Sequence, residues 1–161
     1  MRLRDLKQKD APLMLEWMHD PTVVENLKAD FLSKSIDDCE SFIISAQKRN
    51  KNLHLAITDD NDEYMGTVSL KNINNHSAEF GIIVRRCAMG KGYSKYAMNE
   101  IIRVAFEELD LKAVYWCVNP QNYRAVRFYE KNEYKKANAP KEAINYTDYE
   151  RKNFYWYEVC L

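Results

Sequence analysis

The sequence is short of glycine and has no cluster of cysteine or histidine. Of 161 residues only four are glycine, where average usage would give about eleven. There are four prolines, and the chain has no internal repeat, low-complexity tract or linker. A hydrophobic content of 46% and a charged content of 30% are ordinary for a soluble globular protein. The four cysteines, Cys39, Cys87, Cys117 and Cys160, form no Cys-x-x-Cys pair and follow no regular spacing. They read as buried free thiols in a reducing compartment rather than as a disulfide framework or a zinc site. His19, His54 and His76 fall on separate elements without metal-ligand spacing, so no metal is expected and each reads as a structural or solvent histidine. No apolar run approaches the roughly 18 residues that span a bilayer, and Met1–Asp5 lacks the apolar stretch of a leader. Lys plus Arg and Asp plus Glu both number 24, so no basic excess is available to hold a nucleic acid. The expectation is a cytoplasmic protein with neither nucleic acid nor membrane as partner, as a monomer or a homodimer.

What is present fits one domain over residues 1–161, with a core of ordinary size. Arg2–Leu6 alternates as an edge strand. Leu13, Met14, Trp17 and Met18 recur at helical spacing, with Asp10 as N-cap and Pro12 in the first turn. Asp20-Pro21 ends that helix, and Thr22–Lys34 reads as a helical turn and a loop. Ser35 caps a second helix whose apolar face is Ile36, Cys39, Phe42, Ile43 and Ala46. Strands follow over Leu53–Thr58, Tyr64–Ile73 and Ala78–Val84, the last two joined across Asn74-Asn75. A long amphipathic helix begins near Tyr93, and Ala113–Val118 reads as a strand covered on both faces. A helix runs from about Asn122 to Lys131. Tyr134–Lys136 begins a strand, Asn138–Asp148 is a polar loop, and Asn153–Leu161 is a closing strand. The order β-α-α-β-β-β-α-β-α-β-β implies an α/β (α+β) fold, a mixed central sheet with helices on both faces.

Three of the four glycines, Gly81, Gly90 and Gly92, lie within the stretch Ala78–Ser94. A strand that feeds a glycine turn at a helix N-terminus is a ready anion site, because free N–H groups converge there and the helix dipole favours negative charge. Two common phosphate motifs fail. Gly90-Lys91 lacks both the upstream glycine and the following Ser or Thr of a P-loop, and position 95 is lysine where a dinucleotide fingerprint needs glycine. On its own, such a turn is also compatible with a structural connector.

A second segment, Val118–Lys131, follows a strand about twenty residues after the long helix. Together the two segments resemble the paired motifs of the GNAT family of acyl-CoA-dependent N-acetyltransferases. Cys87-x-x-Gly90-Lys91-Gly92 is similar to that family's glycine turn, and Asn122, Ala125 and Tyr129 match its Asn-x-x-Ala-x-x-x-Tyr signature. Cys87 stands where the family has Gln or Arg, and Met89 where a basic residue is common. The resemblance implies a GNAT fold, acetyl-CoA as co-substrate and an amine acceptor. The short length and Asp20-Pro21 are similar to the branch that acts on ribosomal-protein N-termini, antibiotics or amino sugars; a polyamine is a further candidate acceptor.

The resemblance also implies roles. Backbone amides from Met89 through Ser94 (Met89, Gly90, Lys91, Gly92, Tyr93, Ser94) would cradle the pyrophosphate, with charge from Arg85, Arg86, Lys91 or Lys95. The strand amides of Ile82, Ile83 and Val84 would pair with the pantetheine arm, and one could polarise the thioester oxygen. Asn122 would cap its helix and position the cofactor. Glu79 is the candidate general base, directly or through water, against the reading of an ordinary solvent-facing strand glutamate. Tyr129 is the candidate acid for the departing thiolate, against that of a core tyrosine beside Val126 and Phe128. Among the aromatic residues near the C-terminus, Tyr146, Tyr149, Phe154, Tyr155, Trp156 and Tyr157 could line an acceptor pocket, about half of them being expected in the core. Two other readings stay open: a non-catalytic acyl-CoA-binding regulatory module, and an interaction domain in which the glycine turn is a connector.

Overall fold

The computed structural model describes all residues from Met1 to Leu161. Seven strands form one sheet in the order β1-β2-β3-β4-β5-β7-β6: β1 (Arg2–Asp5), β2 (Leu53–Thr58), β3 (Tyr64–Lys71), β4 (Ser77–Val84), β5 (Ala113–Val118), β6 (Lys136–Ala137) and β7 (Tyr155–Cys160). Every pairing is antiparallel except β4 with β5, where a helical crossover makes the strands parallel. The helices are α1 (Ala11–Met18), α2 (Pro21–Val24), α3 (Ile36–Ala46), α4 (Tyr93–Arg103), α5 (Tyr123–Lys131) and α6 (Asp148–Asn153). No helix is long and apolar enough to cross a membrane.

Period-two alternation in the strands supplies two apolar faces. On one, Ala78 and Phe80 of β4 and Val114, Trp116 and Val118 of β5 join Ala97, Met98 and Ile101 of α4 and Val126 and Tyr129 of α5 in a cluster of 18 buried residues. On the other, α1 and α3 pack Met14, Trp17, Cys39 and Ile43 against Ala56 and Tyr64. The smaller group of Tyr115, Ala143 and Trp156 continues that second face toward the C-terminal loop. The sheet is thus mixed and covered on both sides, as expected.

Four local expectations are corrected. Asp10 is not a side-chain N-cap of α1. It is buried, and its carboxylate takes Arg4 Nη1 and Nη2, both at 2.8 Å, and the Lys7 amide at 2.9 Å. Asp20 does more than end α1: its carboxylate accepts the Thr22 amide at 2.9 Å and so starts α2. The strand beginning at Tyr134 is only the two residues of β6. The closing strand begins at Tyr155 because a helix, α6, precedes it. Thr147 and Glu150 form a capping box there, yet none of its six residues is buried, so no apolar periodicity marks it.

Candidate active site

The site begins as a fault in the sheet. β4 and β5 pair only at Ser77 with Ala113, Ala78 with Val114 and Glu79 with Tyr115. β4 runs on to Val84 and β5 to Val118 without pairing each other. The Arg85 amide donates to Met65 O at 2.8 Å, and β3–β4 keeps its register from Lys71–Glu79 to Gly66–Val84. Hydrogen-bonded pairs alternate along an antiparallel ladder, so Glu79, Gly81 and Ile83 face β3. The main-chain groups of Ile82 and Val84 point away from β3 into the gap, where no strand takes them. A cleft of about 1090 Å³ opens here, and Phe80–Val84 and Trp116–Asn119 line it.

The glycine turn closes one end of the cleft. Gly90 and Gly92 have φ of 75° and 89°, values that an L side chain resists, and Gly92 is the N-cap of α4. The amides of Gly90, Gly92, Tyr93, Ser94 and Lys95 donate to nothing within the chain, and the first helical bond is Tyr96 N–H to Gly92 O at 3.0 Å. Two amides in the expected cradle are spent: Met89 N–H donates to Arg86 O at 3.2 Å and Lys91 N–H to Ala88 O at 3.4 Å, which fold the preceding turn. Arg86, Lys91 and Lys95 are exposed beside the turn and in no ion pair. The Arg85 side chain is placed elsewhere. Its buried guanidinium grips both Glu16 oxygens at 2.9 Å, Glu63 at 2.7 Å and Tyr64 O at 3.0 Å, so it is not free for a phosphate. Arg124 lies over Met89, with Nη1 3.0 Å from Sδ, and Arg124 and Arg127 line the cleft. An aliphatic Met89 suits that packing.

Across the gap, Asn122 Oδ1 accepts the Ala125 amide at 3.2 Å and starts α5, and its side chain borders the cleft. About two turns later Tyr129 packs its ring against Trp116, Phe128, Tyr134 and Tyr157. Tyr129 is both packed and accessible. The ring is core, but Tyr129 also lines the cleft, and its hydroxyl has no partner in the protein and is not among the sealed polar atoms. Burial pushes its ionisation far above the usual tyrosine range, which keeps the hydroxyl a proton donor.

Glu79 reaches the gap from the opposite face of the sheet. It is 5 % exposed, which removes the solvent-facing reading. Lys71 Nζ and Tyr146 Oη donate to Oε1 at 2.7 and 2.6 Å, and Asn72 Nδ2 donates to Oε2 at 3.0 Å. Lys71 faces Glu79 in the β3–β4 register, which sequence patterning does not reveal. His54, read as a structural or solvent residue, also lines the cleft. Its Nδ1 lies 2.7 Å from Ser69 Oγ, its ring meets Phe42 edge-on, and burial together with Lys71 lowers its pKa. Of the C-terminal aromatic residues, Tyr146 and Phe154 line the cleft, Trp156 and Tyr157 are core, and Tyr149 is exposed. No group of His, Cys, Asp or Glu is arranged to hold a metal ion.

A family profile described as an acetyltransferase (GNAT) domain matches residues 1–135. The chain belongs to the GNAT acetyltransferase family. It is an N-acetyltransferase of that family, with acetyl-CoA as co-substrate. Acetyltransferase PseH of Campylobacter jejuni is 29% identical over 161 residues, covering 98% of this chain and 88% of the relative. Spermidine N(1)-acetyltransferase of Vibrio cholerae is 32% identical over 99 residues, 56% of this chain and 57% of the relative. Among solved structures, the Vibrio cholerae spermidine N-acetyltransferase in complex with CoA and spermine superposes with a TM-score of 0.80 at 22% identity, covering 99% of this chain and 94% of that one. Campylobacter jejuni PseH in complex with acetyl coenzyme A gives 0.68 at 21%, covering 99% and 96%. These last two are likenesses of fold. Within the GNAT fold, the strand fault, the glycine turn and Tyr129 lie around one cleft.

Proposed function

We propose that this GNAT enzyme acetylates the nitrogen of a small hydroxylated amine by direct attack, within one domain spanning residues 1–161, with Glu79 as general base and Tyr129 as general acid. The observation that carries the reading is that the two residues approach one gap in the sheet from opposite faces. The free amides of Ile82 and Val84 suit an extended amide-bearing arm, and the five free amides at the turn suit a pyrophosphate. When bound there, acetyl-CoA supplies a thioester whose carbonyl carbon takes the amine and whose sulfur leaves. Glu79 accepts the proton that the attacking nitrogen must lose. A strand amide at Ile82 or Val84 donates to the carbonyl oxygen as negative charge develops on it. Tyr129 gives its proton to the departing sulfur and regains one from solvent. Asn122 fixes the start of α5 and so the height of Tyr129. Arg86, Lys91, Lys95, Arg124 and Arg127 are the basic side chains left for phosphate.

The acceptor half of the cleft argues against a polycation. Its carboxylates are Asp38 and Glu79. Asp38 is taken by the Ser35 amide at 2.8 Å and hydroxyl at 3.0 Å, and Glu79 by Lys71. Lys28, Lys34 and Lys71 line the same half; Lys28 pairs with Glu150 and Lys71 with Glu79, so no carboxylate is left to hold a second ammonium and the Lys34 charge would repel it. Hydroxyls of Ser41, Ser45 and Ser69 and the rings of Phe31, Phe42 and Phe154 share that lining with His54 and Tyr146. Polar donors beside aromatic faces suit a hydroxylated ring amine such as an amino sugar.

The test is free-thiol release from acetyl-CoA across a panel of amino sugars, aminoglycosides, polyamines and peptide N-termini. Turnover is expected with amino sugars and not with spermidine. Tyr129→Phe should lower kcat by about 10² to 10³ with both KM values held, the scale of one acid–base residue. Acetyl-CoA that raises Tm but releases no thiol with any amine would favour the non-catalytic module instead.

A further inference from the structure

Tyr146 belongs to the loop between β6 and α6, 67 residues from Glu79 in sequence. Its hydroxyl donates to Glu79 Oε1 at 2.6 Å. Trp156 meets its ring edge-on with centroids 5.0 Å apart, and Lys28 Nζ lies 4.9 Å from the ring centroid. Lys28 comes from the segment between α2 and α3. It also donates to Asn145 O at 3.3 Å and pairs with Glu150 at 3.0 Å. One tyrosine therefore joins the two segments that border the acceptor half, and it joins both to the candidate base.

The lone pairs of Glu79 give this contact a consequence. Each carboxylate oxygen has about two acceptor sites. On Oε1 both are filled, by Lys71 and Tyr146; on Oε2 Asn72 fills one. The oxygen with room for an incoming N–H is Oε2. We propose that Tyr146 is a positioning residue for acetyl transfer: it holds the Glu79 carboxyl with Oε2 open to the acceptor nitrogen, and it makes that arrangement depend on the two acceptor segments being joined. This rests on Glu79 being the base.

The ionisable groups around Glu79 are few. Lys71 faces it from β3, Tyr115 and Cys117 from β5, and Tyr146 from the loop, with Lys28 and Glu150 beyond the tyrosine ring. Burial holds Tyr115 and Cys117 neutral, at about 12 and about 11, and burial keeps Tyr146 protonated too. Lys71 and Tyr146 are then the two groups that donate to Glu79 Oε1.

The experiment compares Tyr146→Phe, Glu79→Gln and the double variant in the full chain, with an amine accepted by the wild type. Losing a hydrogen bond to a charged group should lower kcat in Tyr146→Phe by about tenfold or more. KM for acetyl-CoA should stay unchanged, which shows the variant is folded. In the Glu79→Gln background the tyrosine change should cost nothing further, since Tyr146 acts through Glu79. A wild-type kcat in Tyr146→Phe, or losses that multiply in the double variant, overturns the proposal while leaving Glu79 as base. Wild-type turnover in Glu79→Gln overturns the base assignment and this proposal with it.

Discussion

On the proposed assignment, the two halves of the cleft would recognise their ligands with different parts of the chain. At the cofactor end the groups offered are main-chain amides: Ile82 and Val84 on the unpaired edge of β4, then Gly90, Gly92, Tyr93, Ser94 and Lys95 at the start of α4. At the acceptor end they are side chains from separate segments, His54 on β2, Ser69 and Lys71 on β3, Glu79 on β4, and Lys28 and Tyr146 on loops. A backbone site constrains only the residues that set φ or cap the helix. That explains how Cys87 and Met89 can stand at positions where the family favours other residues: neither side chain is needed for an amide to point into the cleft. A side-chain site has no such tolerance, and its chemistry is this chain's own.

The change expected to separate the halves most is Gly92→Val. A Cβ at Gly92 would meet only Met1 Cε at 3.8 Å, so space is not the obstacle. The obstacle is φ of 89°, which costs a branched L residue about 1–2 kcal/mol or more. The turn should relax and its free amides lose their convergence. KM for acetyl-CoA should rise by at least about tenfold, with KM for the amine nearly unchanged. If the amine KM rises instead, the division between backbone and side-chain recognition is wrong.

Arg85 sharpens the comparison from the other direction. It adjoins the glycine stretch and has the charge a phosphate wants, but its guanidinium is bound between α1 and the β2–β3 turn. Arg85→Met should lower stability by about 1–3 kcal/mol, the scale for losing hydrogen bonds to charged groups. The loss is moderated because Glu16 and Glu63 are about half exposed and can be hydrated. Chemical denaturation measures this. KM for acetyl-CoA should not move, and a tenfold rise would return Arg85 to the phosphate site.

The same contrast explains what was legible in the sequence. Gly90, Gly92 and Asn122 act through local conformation, so spacing along the chain reveals them, and the strands and helices that carry them follow from hydrophobic periodicity. The fault between β4 and β5 does not, because it is a property of long-range register: Phe80–Val84 reads as an ordinary strand whether or not Trp116–Val118 pairs with it. Nor does local pattern show that Lys71 and Tyr146 meet on Glu79, since one is set by register and the other by a loop. The helix α6 was missed for a simpler reason. Its Thr147–Glu150 capping box is written in the sequence, but a six-residue helix that buries nothing has no stripe.

His54→Phe is the smallest effect and the most specific to the acceptor half. Phenylalanine keeps the edge contact with the Phe42 ring, now at 4.9 Å between centroids, but removes the ring nitrogens, one of which meets Ser69 Oγ. A neutral hydrogen bond at a partly wet site is worth about 0.5–1.5 kcal/mol, so KM for the amine should rise about two- to tenfold while KM for acetyl-CoA stays fixed. A second readout is independent of activity. Burial first, and Lys71 second, depress the pKa of His54, so the folded protein resists a proton that the unfolded chain takes up near pH 6.5. Stability tied to His54 is therefore present above about pH 6.5 and declines as pH falls from there through the folded-state value. Replacing His54 should flatten the dependence of Tm on pH between about 7 and 5. An unchanged slope together with an unchanged amine KM would remove His54 from the acceptor half and leave that half resting on Lys28, Lys71, Glu79 and Tyr146.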